Sequence, residues 1–268
     1  MTTVRFSRLG AKYLAFAGAA ARRTLADRTL LLGRTAFLAV ILFTFSRIWH
    51  VLGVRVGLPG VGERELLWYL ALTEFSMIAT PGISLKIEAE VRSGDVASRL
   101  VRPVSFAGAS LSEGLGEAAL RYAVLAVSGG AFAYVLAGGL PADPRGLWLA
   151  VPLGLLATVL NVLCQVAVGI SAFWVIDTSP FQWIWHKLTF VLGGLLFPLE
   201  LYPEWLQRLA HATPFPLMCW APGRMALGFA PAIALVSALQ GLLWVAILSG
   251  FLVALSRGAR ARLTVSGG

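Results

Sequence analysis

The stretch IEAEVRSGDVASRLVRPVSF, residues 87–106, sets Glu88, Glu90, Arg92, Asp95, Arg99 and Arg102 between two long apolar runs. Ser93-Gly94-Asp95 breaks any helix that enters it, because Gly tolerates a turn and Asp95 can cap a new helix. Residues 96–102 then read as a short second helix. Arg99 and Arg102 share one side of it at i, i+3, and Val96 and Leu100 share another at i, i+4. Pro103 ends it. The expected product is a rigid elbow, charged on one side and apolar on another. What it does depends on the solvent around the flanking runs.

That solvent is lipid. Of the 268 residues, 58% are hydrophobic and 13% charged, against about 25% charged in a soluble domain, and the mean hydropathy is +0.79. Six apolar stretches, at approximately 34–56, 67–86, 112–138, 147–176, 182–199 and 230–256, each come near the roughly 20 residues that cross a bilayer. The expected fold is an all-α membrane protein of six transmembrane helices. The fourth stretch is long enough to tilt or project. The two halves show no convincing repeat, which weighs against an inverted-repeat secondary transporter.

The net charge of +9 follows membrane orientation rather than nucleic acid, for which no partner role is expected. Arg22, Arg23, Arg28, Lys86, Arg92, Arg99, Arg102, Lys187 and Arg257 fall on one side of the predicted spans. Arg55, Arg64, Arg145, Arg208 and Arg224 fall on the other. The richer side is cytoplasmic, so both termini should face the cytoplasm. Trp68, Trp148, Trp174, Trp183 and Trp185 lie near span ends, where an aromatic belt is expected.

Residues 1–30 read as a separate amphipathic interfacial helix preceding a six-span domain over 31–268. Arg5, Arg8, Lys12, Arg22 and Arg23 share a basic face, opposed by Phe6, Tyr13, Leu14, Ala17, Ala21 and Leu25. The opening MTTVRFSRLGAKYLAF is not expected to be cleaved as a signal peptide. Cys164 and Cys219 make no disulfide framework. His50, His186 and His211 lack metal-ligand spacing, so no metal site is expected.

On these residues alone the charged stretch has two readings: a basic anchor just below the bilayer, or a docking element for a soluble partner. An anchor does not require Glu88, Glu90 and Asp95 among the basic residues. VRSGDVASRLVRPVS, residues 91–105, resembles the coupling-helix region of ABC exporter permeases of type 2. GGLLFPLELYPEWLQRLAHATPFPLMCWAPGRMALG, residues 193–228, is similar to that family's pattern after the fifth span. The two motifs stand in the family's order.

The resemblance implies a permease subunit that pairs with a second copy or a related permease and binds an ATPase subunit through the segment at about 87–103. Glu90, Arg92, Gly94, Asp95, Arg99 and Arg102 would form the docking surface. Short re-entrant helices at about 197–225, marked by Gly193, Gly194, Pro198, Pro203, Trp205 and Pro214, would cap the pathway from outside. The expected location is a bacterial inner membrane. A phosphate loop needs GxxxxGK[ST], yet Lys12, Lys86 and Lys187 follow Ala, Leu and His. The chain itself is therefore expected to hold no cofactor, with ATP and Mg on the partner ATPase.

Arg47, Glu74, Glu117 and Arg121 fall within predicted spans, where an ionised group costs several kcal/mol unless paired or wetted. Glu117 and Arg121 can pair at i, i+4, and Arg47 and Glu74 could pair between the first two spans. Glu113 sits close enough to the cytoplasmic boundary to need no special account. Two rivals use these groups: a membrane enzyme acting on a lipid through Glu113, Glu117 or Glu74, and an ion-coupled transporter using Arg47 and Glu74.

Overall fold

The computed structural model describes residues 2–52, 61–100, 104–175 and 177–266. Among them every regular element is helical. In chain order they are α1 (Thr2–Ala26), α2 (Arg28–Leu52), α3 (Glu63–Ala79), α4 (Ile83–Ser93), α5 (Val96–Leu100), α6 (Phe106–Leu136), α7 (Arg145–Ile170), α8 (Ser179–Leu192), α9 (Glu204–His211), α10 (Phe215–Met218), α11 (Trp220–Arg224) and α12 (Pro231–Ser266). Single 3₁₀ turns occupy Ser171–Phe173, Leu199–Leu201 and Met225–Leu227.

Five of the described helical segments are long and apolar enough to cross a membrane: Arg28–Val51, Glu63–Ser93, Phe106–Leu136, Arg145–Phe173 and Pro231–Ala259. The fifth expected span, 182–199, does not form one helix of that length. It holds most of the 14-residue α8, which stops at Leu192.

Burial separates a central rod from a lipid-facing shell. The apolar part of the α3–α4 segment is 83% buried, whereas that of α12 is only 11% buried. Leu235, Val236, Leu239, Leu242 and Leu243 of α12 stand exposed. In water such a surface would aggregate; in lipid it is solvated. The chain is therefore a multi-pass membrane protein. α3 lies among α2, α6, α7 and α11, with Leu66, Tyr69, Leu70 and Phe75 in the main core. A second core at the α4 end gathers Ile83, Ile87, Val96, Phe106, Val162 and Ile170. Of the five belt tryptophans, Trp148, Trp174 and Trp183 are exposed. Trp68 is buried and donates its indole N–H to the Gly139 carbonyl at 3.0 Å, and Trp185 packs on Phe215 with ring centroids 4.9 Å apart. Those two serve the core instead of a belt.

The amphipathic start is a helix, but it ends at Ala26, not near residue 30. Asp27 caps α2 by accepting the Leu30 N–H at 2.9 Å, which starts a new helix there. The side chains of Arg5, Phe6 and Arg8 lie outside the described residues. Of the rest, Ala20 and Thr24 are buried, while Leu14 and Leu25, expected on the same apolar side, are exposed. α1 packs along α6 by close backbone approach. A Cβ at Gly116 would sit 2.1 Å from the Ala17 carbonyl oxygen, so the contact requires glycine. Between membrane helices, packing of small residues supplies the attraction that the hydrophobic effect supplies in water. Gly116→Leu is accordingly expected to displace α1, at a cost of about 1–3 kcal/mol typical of overpacking. Maleimide labelling of a cysteine placed at Ala20, which is buried, should be slow in the parent and fast in the variant.

Candidate functional site

The break at Ser93-Gly94-Asp95 and the start of a short helix at Val96 are formed as the sequence suggests. The expected end of that helix at residues 102–103 lies outside the described residues, and the charges point differently. α4 ends at Gly94, whose φ of +80° lies in the left-handed region, where glycine carries no steric penalty. Its N–H returns to the Val91 carbonyl at 3.3 Å. The Asp95 carboxylate accepts the Ser93 hydroxyl at 2.7 Å. The Asp95 carbonyl accepts the Ser98 N–H at 3.1 Å and the Ser98 hydroxyl at 2.8 Å, opening α5. Val96 is buried in the second core and holds α5 against the bundle.

Arg99 turns inward. Its guanidinium donates to both oxygens of Glu90, at 3.0 and 2.8 Å, and to Glu113 Oε1 of α6 at 2.6 Å. It also lies 5.3 Å from the Phe106 ring centroid. The Arg99 and Glu90 side chains are only 13% and 19% exposed. Both were expected on a docking surface; their side chains are turned into the bundle and fasten the elbow from within. Carboxylates this far out of water need bidentate partners, and Arg99 supplies them. Arg92, Ser93, Gly94, Asp95 and Ser98 remain exposed. Arg102 lies outside the described residues.

The sequence reading missed the centre of this network. Glu113, with 6% exposure, also accepts Lys86 Nζ at 2.5 Å and stands 3.9 Å from Arg23 Nη2. One carboxylate thus joins α1, α4, α5 and α6. Its partners are separated along the chain by 27 residues for Lys86 and 14 for Arg99, so no local spacing reveals it. Glu88 was missed similarly: it is buried, accepts the Thr178 N–H at 3.1 Å and the Thr178 hydroxyl, and so ties α4 to the start of α8. Nearby, the Ser179 hydroxyl and N–H hold the Asp177 carboxyl below its ordinary range.

A second feature lies behind the elbow. α2, α3 and α8 enclose an open cleft of about 850 Å³, lined among others by Arg34, Phe37, Glu74, Met77, His186 and Phe190. The expected Arg47–Glu74 pair does not form. Arg47 is exposed and lies over Phe43, 5.2 Å from its centroid, while Glu74 is buried at 6% exposure. α3 is paired to α2 by another arginine. Arg34 donates to the Ile78 carbonyl, in the last turn of α3, whose carbonyls lose their helical partners four residues on at the Thr80-Pro81-Gly82 break. Glu117 and Arg121 do pair on α6. Arg47 stands away from Glu74, so the ion-coupled reading lacks its pair. Glu113 and Glu117 are both in ion pairs, which leaves Glu74 as the one carboxylate of the lipid-enzyme reading without a partner among the described residues.

The segment after α8 folds back upon α3. Gly194 turns the chain with φ +65°. Tyr69 then donates its hydroxyl to the Gly194 carbonyl and, at 3.3 Å, to the Phe197 carbonyl. Thr73 Oγ1 donates to the Leu195 carbonyl at 2.9 Å, and the Trp220 N–H to the Gly193 carbonyl at 2.9 Å. These two side chains and one backbone N–H satisfy carbonyls that a helix end leaves without partners. Pro198, Pro203 and Pro214 stand immediately before the 3₁₀ turn, α9 and α10 respectively, so each proline begins an element. Glu200 accepts Trp220 Nε1 at 3.0 Å and Arg224 Nε at 2.8 Å, closing the segment on itself. Trp205 projects outward on α9.

Comparison with known families finds one sequence model, described as ABC-2 family transporter protein, that matches residues 43–264. The match contains the elbow, the segment after α8 and the walls that α3 and α8 give the cleft, but not Arg34 and Phe37 of α2. A search among curated proteins finds no match.

Proposed function

Because the chain belongs to the ABC-2 family of transporter proteins, we propose that it is the permease subunit of an ATP-driven exporter of a bacterial inner membrane, with both termini cytoplasmic. The family is one of membrane transport subunits, and membership implies association with an ATP-binding subunit. On this reading two permeases, identical or related, form the pathway, and each seats one ATPase on its elbow. ATP and Mg belong to the partner. α8 and the chain that follows make the sixth crossing: α8 spans about 21 Å at 1.5 Å per residue, short of the roughly 30 Å hydrocarbon core. Residues 193–227 complete it as re-entrant helices at the outer side.

The observation that carries the reading is the two-sided construction of the elbow. Its outer side offers Arg92, Ser93 and Asp95 to a partner, and its inner side is pinned through Arg99 to Glu113. A surface anchor needs no such pin. A docking lever does, because force on α5 must reach α6 and α1. Arg92→Glu with Asp95→Lys reverses the outer charges without touching the Arg99 pin. Co-purification of the cognate ATPase with this double variant should fall about tenfold, with the permease's own melting temperature close to the parent's. Undiminished co-purification would remove the elbow from the interface.

A further inference from the structure

We propose that the cleft between α2, α3 and α8 binds an amphiphile carrying a single protonated amine, which pairs with Glu74. This deepens the transport reading and rests on it. Glu65, Glu74, Glu88 and Glu113 are the buried carboxylates among the described residues. Glu65 accepts the N–H groups of Gly62 at 3.0 Å and Ala142 at 3.3 Å. Glu88 has Thr178 and Arg92, and Glu113 has Lys86 and Arg99. Glu74 differs: among the described residues it makes no hydrogen bond and no ion pair, and it lines an open cleft. A carboxylate withdrawn from water is costly unless a cation or donor meets it. The other three have that partner in the chain; Glu74 has it only when something enters the cleft.

The cleft specifies the rest of the ligand. About 850 Å³ is far more than a metal ion or a proton carrier needs and falls in the range of small-molecule sites. Phe37 from α2, Met77 and Ile78 from α3 and Phe190 from α8 supply apolar walls. Arg34 and Lys187 also line it, with Lys187 Nζ lying 5.3 Å from the Trp183 ring centroid. These cations disfavour a ligand with several positive charges, while Asp27 at the same cleft is already occupied in capping α2. An apolar body ending in one amine matches the walls and the isolated carboxyl. Such a molecule can be an amine-headed phospholipid of the bilayer or a soluble amphiphile that is itself the cargo.

The test uses the full chain in nanodiscs of phosphatidylcholine and phosphatidylglycerol, titrated with a dansyl-labelled alkylamine. Saturable binding is expected. N-acetylation of the probe, which removes the charge and leaves the apolar body, should weaken it about tenfold. Glu74→Gln should weaken the amine by a similar factor and leave the acetylated probe unaffected, while Glu74→Asp retains most of the preference. Adding phosphatidylethanolamine to the nanodisc separates the sources. Competition with the probe identifies a lipid headgroup as the occupant, and its lack identifies a soluble amphiphile; both support the site. Equal affinity for amine and acetylated probe, or no saturable binding, would overturn the proposal, and the probe comparison does not depend on how Glu74→Gln folds. Co-purification of the ATPase with the same preparations reports separately on the transport-subunit reading.

Discussion

Glu113→Gln is expected to destabilise the α4–α5 end of the bundle by about 3 kcal/mol, the cost of removing one side of a buried ion pair. The carboxylate meets Arg99 at 2.6 Å and Lys86 at 2.5 Å. Gln keeps the shape and loses the charge, so Arg99 is left in a largely dehydrated position with Glu90 alone. The Lys86 side chain is 43% exposed and can turn toward water, so its share is small. Most of the effect therefore belongs to Arg99. Arg99→Met in the same chain removes the stranded cation, and the double variant should recover part of the loss, giving a coupling of about 1–3 kcal/mol. Denaturant or thermal unfolding in detergent measures both. Because the same residue pins the elbow, ATP hydrolysis by the assembled complex should also lose its dependence on the permease. A Glu113→Gln chain as stable as the parent, with coupling near zero, would mean that the network is ornamental.

Tyr69→Phe combined with Thr73→Val is expected to cost about 3 kcal/mol, because each substitution strands at least one buried carbonyl at about 1–3 kcal/mol. Both changes preserve volume, so the loss reads out hydrogen bonding and not a cavity. The carbonyls concerned belong to Gly194, Leu195 and Phe197, the turn that folds the chain after α8 back onto α3. Without those donors this turn has no reason to stay in an apolar setting. Protease cleavage within residues 195–212 should become much faster, whereas α12 stays protected. Unchanged cleavage would show that packing of Leu199 and Trp220 holds the segment without Tyr69 and Thr73.

The sequence carried the membrane, the helices and the elbow because each leaves a local mark. Gly94 within VRSGDVASR announces a break through its own conformational freedom, and it adopts φ +80°. The pairing of Glu117 with Arg121 follows from one helical turn. The Arg47–Glu74 pair failed for a different reason: it joined two helices, and nothing in either one fixes which arginine of α2 faces α3. Arg34 does so, because the broken end of α3 at Pro81 exposes the Ile78 carbonyl next to it. α8 shows the same limit. An apolar stretch of span length was legible, but its division at Leu192 depends on Tyr69 and Thr73, more than a hundred residues earlier.

By itself the amino-acid sequence determined the solvent of this protein, its helical character, the break at Gly94 and the family pattern at the elbow. All of these depend on residues within about one or two helical turns of one another, or on composition. Tertiary structure alone decided which charges face a partner and which fasten the bundle, and it left Glu74 without a mate. Pairing among buried charges is set by the rotation and depth of separate helices, and that geometry is a property of the packed whole.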